Sequence, residues 1–335
     1  MAPKFLVIQT AFPGDVILAT ALVEKLRQFY PESRIHFLLR RGNESILAQH
    51  PYLKKVWVWD KGSNKARNLL RLARQIRKKG FTHVINAHRF ASSGLLTALS
   101  GAKHRIGFAK NPLAFRYTQK LPHTISPPEA QQGVHEVERN QSLIASLTDP
   151  IPAWPRLYPS ATDYEAVKPL QGQSYVCIAP ASVWPTKQFP AQRWASLAQK
   201  LSAEHHIHIL GGPSDALLSA DIVAKAGLTA ESNLCGRLSF LQSAALMEGA
   251  VMNYTNDSAP LHMATAMRAP LTAVFCSTVP QFGFGPLDEN GRVVEHPGPL
   301  YCRPCGLHGR KACPEGHFRC ALDIREDDLL WWKQP

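Results

Sequence analysis

The residues of this 335-residue chain best suited to chemistry lie in Tyr254-Thr-Asn-Asp-Ser-Ala-Pro-Leu-His262. An apolar run over 249–253 predicts a buried strand, and 260–267 predicts a helix directly after it. Ser258 has the side chain of an N-cap, and Pro260 suits a first helical turn. The amides of such a turn, aligned with the helix dipole, seat a phosphate. Asp257 at the same mouth repels phosphate but can accept hydroxyl protons from a sugar beside it. The same string would also serve as an ordinary capped turn, so the remaining chain has to decide.

Three more loops carry candidate groups. Asp15 closes Ala11-Phe-Pro-Gly-Asp between a predicted strand (4–10) and a predicted helix (16–30). Ligands of open parallel sheets bind at the carboxyl ends of strands, so Asp15 is either a general base or a helix cap, and nothing local separates the two. No G-x-G-x-x-G stands there, which argues against a dinucleotide site. Ala179-Pro-Ala-Ser182 ends another strand, and Lys187 follows Trp184-Pro-Thr186. A lysine near small hydroxyl residues can neutralise a diphosphate, although a solvated lysine is equally compatible. Leu210-Gly-Gly-Pro-Ser-Asp215 ends a third strand, where Asp215 either grips ribose hydroxyls or caps the next helix. If the sheet is parallel, the loops of Ser182/Lys187, Asp215 and Asp257 share one edge.

The elements needed to hold these loops alternate along the chain. Strands are predicted at 34–39, 56–59 and 82–86, and helices at 64–79 and 92–99. The 64–79 helix places Leu69, Leu72, Ala73 and Ile76 on one face and Arg67, Arg71, Arg74, Arg77 and Lys78 largely on the other. Such a helix packs on a core or binds an anionic surface. Five prolines between 148 and 170 mark a link between domains. Alternation then resumes with strands at 175–179, 206–210 and 271–275 and helices at 191–202, 216–226 and 240–248. Two successive α/β units result: an N-terminal Rossmann-like domain (1–155) and a C-terminal one (156–322), followed by 323–335.

Composition sets the partners. The net charge is +13, but residues 1–160 hold 24 Lys+Arg against 9 Asp+Glu, while 161–335 hold 14 against 16. The basic half favours an anionic partner. A nucleic acid is not expected, because no reading module and no stacking aromatics accompany the basic stretches. No apolar run approaches the roughly 18 residues of a membrane span. The apolar segment near the N-terminus is too short for a signal peptide, which predicts a cytoplasmic location. Cys177, Cys235 and Cys276 fall in apolar runs. Cys302, Cys305, Cys313 and Cys320 follow C-x2-C-x7-C-x6-C, which allows a structural zinc, free thiols or a disulfide.

Four stretches in order resemble the ADP-heptose:lipopolysaccharide heptosyltransferases of glycosyltransferase family 9. They are Phe5 to Thr20 with Gly14-Asp15, Lys187 in Ser-Val-Trp-Pro-Thr-Lys-Gln-Phe-Pro, Thr255 to His262, and the Cys302-x-Pro-Cys305 to Cys320 tail. The resemblance implies a GT-B fold of two facing Rossmann-like domains with a cleft between them. It also implies an inverting, metal-independent transfer, without cofactor, of heptose from ADP-heptose to the inner core (Kdo or heptose) of lipopolysaccharide, at the cytoplasmic face of the inner membrane. By this analogy Asp15 is the base, Lys187 and the amides at Ser258 and Ala259 hold the donor diphosphate, Ser182 also belongs to the donor site, and Asp257 touches the sugar. His262 lies near the donor, Asp215 near the ribose, the terminal helix can cross back to the first domain, and the acceptor falls to the basic N-terminal half. Two positions depart from the family pattern, with Ala259 where glycine is frequent and Cys276-Ser277 where Gly-Pro is. The competing readings are a GT-B-like transferase or epimerase for another nucleotide sugar, and a non-catalytic binder of polyanions. An aspartate of ordinary pKa is expected at position 15.

Overall fold

The computed structural model describes residues 2–62, 64–287 and 289–333. The chain folds as two compact units: unit 1 is 1–125 and 134–158, and unit 2 is 126–133 and 159–335. The division falls just after the expected one, and 126–133, assigned by sequence to the first domain, belongs to unit 2.

Unit 1 runs β1 (Lys4–Ile8), α1 (Pro13–Phe29), β2 (Arg34–Arg40), β3 (Leu53–Trp59), α2 (Lys65–Lys79), β4 (His83–Asn86), α3 (Ala91–Leu99), β5 (His104–Phe108), β6 (Gln119–Leu121) and α4 (Glu136–Ser142). Its sheet has the order β3-β2-β1-β4-β5-β6 and is parallel throughout. Parallel sheets are covered on both faces, so a continuous apolar run such as Phe5–Leu6–Val7–Ile8 suits β1, where all four are fully buried. The strand order reverses between β1 and β4. Loops leaving such a pair open the crevice in which doubly wound folds hold ligands. Thr10 Oγ1 and His88 Nδ1, one from each loop, lie 2.9 Å apart. Helix α2 buries Leu69, Leu72, Ala73 and Ile76 and exposes its arginines, so the core-facing reading of its pattern holds.

Unit 2 runs α5 (Ala161–Val167), β7 (Tyr175–Ala179), α6 (Ala191–Leu201), β8 (His206–Ile209), α7 (Ala216–Lys225), α8 (Phe240–Glu248), β9 (Met252–Asn256), α9 (Ala259–Ala266), β10 (Leu271–Phe275), β11 (Gly291–Glu295), α10 (Arg319–Leu322) and α11 (Glu326–Leu329). Its five parallel strands stand in the order β11-β10-β9-β7-β8, reversing between β7 and β9. Strand β9 extends further toward the site than the apolar run at 249–253 predicts. Asn253, Thr255 and Asn256 are polar yet fully buried; Asn253 Nδ2 reaches the carbonyls of Met247 and Pro270 at 2.9 Å, which offsets its burial. Likewise 271–275 does not close the sheet, because β11 pairs beyond it.

The chain end packs within unit 2. Tyr254 Oη donates to the Leu329 carbonyl at 3.0 Å and accepts from Trp332 Nε1 at 2.8 Å, while Trp331 Nε1 donates to Thr272 Oγ1 at 2.9 Å. Indole N–H groups leaving water need acceptors, and unit 2 supplies both. The described part of 323–335 holds two short helical pieces, α11 and a 3-10 turn at Trp331–Lys333, where a single helix was expected; Gln334 and Pro335 lie outside the described residues.

Candidate active site

At the β7/β9 reversal two loops meet. Lys187, in a short 3-10 turn after β7, places Nζ 2.5 Å from Asp257 Oδ2, directly after β9. The same oxygen accepts from Thr278 Oγ1 at 2.6 Å. Asn256, wholly buried, fixes the junction: its Nδ2 donates to the Pro180 carbonyl at 2.6 Å and its Oδ1 accepts from the Phe189 amide at 2.8 Å. One side chain therefore sets the end of β9 against both ends of the lysine loop.

A strap leading from β11 to α10 packs against the lysine turn. Thr186 is buried and its Oγ1 accepts from the Arg310 amide at 2.7 Å, while its own amide donates to the Arg310 carbonyl at 3.2 Å. Ser277 Oγ lies 3.1 Å from Thr186 Oγ1, and the Cys305 amide donates to the Ser277 carbonyl at 2.8 Å. Arg303 donates to the carbonyls of Cys276 and Thr278 at 2.8 and 2.7 Å and pairs with Glu295. Gly309 has φ +78°, and a Cβ there would stand 3.0 Å from Lys187 Cγ and Thr186 Oγ1. The strap approaches the lysine so closely that only glycine fits.

Helix α9 starts at Ala259 with Ser258 in the N-cap position, but Ser258 makes no side-chain cap bond. Its hydroxyl turns back to the Asn256 carbonyl at 3.4 Å; Pro260 has no N–H and the Leu261 amide donates to the Ser258 carbonyl at 3.1 Å, so an anion at this turn would meet the Ser258 and Ala259 amides. Such a turn, next to Lys187, is an anion seat. His262 is buried one turn along α9, its ring 6.2 Å from that of Phe284. Ser182 lies on the lysine loop, where its carbonyl accepts from Gln188 Nε2 at 2.7 Å. Asp215 stands after β8, on the other side of β7 from Asp257. Its Oδ2 accepts from the Gly212 amide at 2.8 Å and its Oδ1 from Ser214 Oγ at 3.2 Å, so it braces its own loop and does not meet Lys187.

In unit 1, Asp15 occupies the first turn of α1 at the β1/β4 reversal. Its Oδ2 accepts from the Phe12 amide at 3.1 Å, so it does brace the helix start. Its pKa is pushed up to about 6, chiefly by burial and next by the charge of Glu136, with the Phe12 and Asp15 amides and Arg89 opposing. The ordinary value expected from sequence is therefore corrected; the low-dielectric surroundings disfavour the anion. Cations cluster nearby. Lys61 Nζ donates to the Thr10 carbonyl at 2.9 Å and sits 4.7 Å from the Trp59 ring, and Arg40 lies 5.0 Å from the Phe12 ring. His88 is pushed down to about 4 by burial and then by Lys61, Arg89 and Arg40, which locates a positive field at this sheet edge.

Cys302, Cys305, Cys313 and Cys320 form no disulfide with one another. Cys302 Sγ is 4.0 Å from His317 Nε2 and Cys305 Sγ is 3.5 Å from the Cys302 carbonyl. Among the described residues no group of three or more His, Cys, Asp and Glu side chains stands in position to hold a metal ion. The zinc reading of the spacing thus finds no assembled ligand set; only Cys302 and Cys305 form a close pair in sequence, and Cys320 is buried in α10.

Sequence reasoning passed over Asn256, Thr278, Thr186 and Arg303. The first stands inside the Thr-Asn-Asp-Ser string and could have been found there. The other three act through carbonyls and hydroxyls distant in sequence and leave no local signal.

Two parallel doubly wound sheets, one with a lysine and a helix turn at its reversal and the other with an aspartate at its own, are the parts of a GT-B glycosyltransferase. The fold agrees with the solved structure of ADP-heptose lipopolysaccharide heptosyltransferase II from E. coli, with a TM-score of 0.77 at 21% identity over 98% of this chain and 96% of that one. E. coli heptosyltransferase WaaC with ADP gives a TM-score of 0.71 at 17% identity, covering 98% of each chain. By sequence, lipopolysaccharide heptosyltransferase 3 of Escherichia coli is 25% identical over 287 residues, 80% of this chain and 82% of that protein. Residues 69–313 match the family model described as glycosyltransferase family 9 (heptosyltransferase). The chain belongs to that family and is a glycosyltransferase.

Proposed function

We propose that this enzyme transfers heptose, with inversion, from ADP-L-glycero-D-manno-heptose to a Kdo or heptose hydroxyl of the lipopolysaccharide inner core. The observation that carries this reading is the convergence of Lys187, Asp257 and the first turn of α9 at the β7/β9 reversal. A sugar diphosphate needs these three things together: a cation and amides for the phosphates, and a carboxylate for the sugar hydroxyls. Asp257 Oδ2 already accepts from Lys187 and Thr278. With the donor bound, the phosphates share the lysine, and the aspartate takes hydrogen bonds from the sugar.

Asp15 takes the proton from the acceptor hydroxyl as that oxygen attacks the anomeric carbon. The C–O bond to ADP breaks, and the electron pair leaves on the phosphate, where Lys187 and the amides at Ser258 and Ala259 meet the new charge. With its pKa about 6, Asp15 is ionised at neutral pH and is a stronger base than an ordinary aspartate. The departing charge is met by a lysine and backbone donors, so the reaction proceeds without a divalent metal. Ser182 and Asp215 line the nucleotide side of the donor, and His262 buttresses the α9 turn. The cations Arg40, Lys61 and Arg89 support an anionic acceptor bound by unit 1. Among the described residues no helix is long and apolar enough to cross a membrane; in this reading the lipid-borne acceptor is met by peripheral contact with the cytoplasmic face of the inner membrane.

The test is transfer from ADP-heptose to Kdo-lipid A and to its heptosylated form, with and without chelator, read by mass spectrometry. A heptosylated product whose formation survives chelation is expected. Transfer only from UDP- or GDP-sugars, or release of a free epimerised sugar, overturns the reading.

A further inference from the structure

Asp257 is held from two sides, and the transfer scheme gives a task to only one of them. Its Oδ2 pairs with Lys187 Nζ at 2.5 Å and accepts from Thr278 Oγ1 at 2.6 Å. Its Oδ1 takes no hydrogen bond from any described residue, and the side chain keeps 8% of its surface open. The two partners respond differently to a ligand. A bound diphosphate is a second anion competing for the Lys187 ammonium. Thr278 is neutral and 1% exposed, so a ligand does not draw it away.

The place of Thr278 is fixed independently of the lysine. It follows β10 in a turn that Arg303 clamps, with Nε donating to the Cys276 carbonyl at 2.8 Å and the guanidinium also reaching the Thr278 carbonyl at 2.7 Å. Glu295, the last residue of β11, meets the charge of Arg303 at 2.5 Å. Charge-assisted bonds of this kind are strong and directional. Asp257 is tied to the same strand by its amide, which donates to the Val274 carbonyl at 3.1 Å. While Lys187 is in place, Oδ2 already has a charged donor. The second donor has its use when the first is drawn off.

We propose that Thr278 is a positioning residue for the donor sugar: when a diphosphate engages Lys187, the Thr278 hydroxyl keeps Oδ2 of Asp257 occupied and the carboxylate in place, so that Oδ1 meets the sugar hydroxyls. The inference rests on the proposed transfer, in which Asp257 serves the sugar. Thr278 then acts on ligands that carry the sugar and not on the nucleotide alone, because ADP engages Lys187 and the α9 amides but not Asp257.

The experiment measures binding of ADP and of ADP-heptose by calorimetry in the wild-type enzyme, Thr278→Val, Thr278→Ser and Arg303→Lys, with melting curves to show that each variant is folded. Valine keeps the shape of threonine without the donor, and serine keeps the donor. Thr278→Val is expected to weaken ADP-heptose about tenfold to a hundredfold and to leave ADP within about twofold, the first being the range for losing a hydrogen bond to a charged group. Thr278→Ser recovers most of the loss. The Arg303→Lys ammonium still pairs with Glu295 but cannot span the two carbonyls, so it narrows the same preference for ADP-heptose over ADP.

Equal weakening of the two ligands marks a general support of the loop and overturns the proposal. So does a wild-type preference retained in Thr278→Val, or in Arg303→Lys should the valine variant not fold. A wild-type enzyme that binds ADP-heptose no tighter than ADP, a measurement that needs no variant, removes Asp257 from the sugar and overturns the proposal together with the reading it rests on.

Discussion

Lys187 Nζ and Asp257 Oδ2 stand 2.5 Å apart, joining the loop after β7 to the loop after β9. Their side chains are only 14% and 8% exposed, so each charge depends on the other for its burial. An unpaired charge at such a site is costly, and removing one partner is more damaging than the net value of the pair. The ion pair is thus both a structural clasp and the place where a diphosphate would engage the lysine.

Lys187→Met is expected to lower kcat by 10²- to 10³-fold with ADP-heptose, the range seen when one donor to a developing anion is removed. It should also lose stability by about 3 kcal/mol, from leaving Asp257 unpaired. Steady-state kinetics and urea unfolding check the two parts separately; full activity would remove the lysine from the mechanism.

Asp15→Asn should abolish turnover and stabilise the fold. The carboxyl pKa in the folded enzyme is raised from 3.8 to about 6, so between these values the native state binds more protons than the unfolded chain. Wild-type stability therefore falls as pH rises through this window, by up to about 3 kcal/mol, and the full penalty persists above it. The amide oxygen of asparagine still accepts from the Phe12 amide. Melting curves should place the variant above wild type at pH 7.5 and level with it near pH 4. Equal stability at both pH values would refute the raised pKa.

Arg89 opposes the effect of Glu136 on Asp15. Arg89→Gln should therefore move the acid limb of kcat/KM to higher pH, because losing that charge disfavours the Asp15 carboxylate further. Because it also contributes to the field around Thr10 and His88, the same variant should raise KM for an anionic acceptor and leave KM for the donor unchanged. Acceptor KM in the wild-type enzyme should rise with salt. A salt-independent value would sink the electrostatic account.

The strap can be tested at its two contact points. Thr186→Val removes the acceptor of the Arg310 amide and costs about 1–3 kcal/mol. Gly309→Ala demands a positive φ from alanine and presses a methyl on Lys187 Cγ. Both should raise KM for ADP-heptose more than KM for the acceptor. An equal rise in the two would mean that the strap does not act through Lys187.

Much of this was legible before any fold was known. The alternation of apolar runs and amphipathic helices gives two parallel sheets, because a run such as Phe5–Ile8 is stable only between covering helices. The order Gly14-Asp15, Lys187, Thr255–His262 gave the family, and the Arg-rich pattern of α2 gave its outward face. Some strands did not show: β5 is broken by Gly107, β6 is only three residues long, β11 is too polar for periodicity to register, and β9 hides its last residues behind Asn253 and Asn256, whose side-chain amides reach carbonyls of other segments.

The sequence by itself determined the architecture and the identities of the groups available for catalysis, since both follow from local periodicity and from short strings. Only the tertiary structure decided which groups meet and in what state. Lys187 and Asp257 are 70 residues apart in sequence and share an oxygen contact because β7 and β9 are neighbours. Asp15, a carboxyl that is ordinary in isolation, becomes a stronger base because packing removes its water. Burial and proximity are properties of the folded chain, and no local string encodes them.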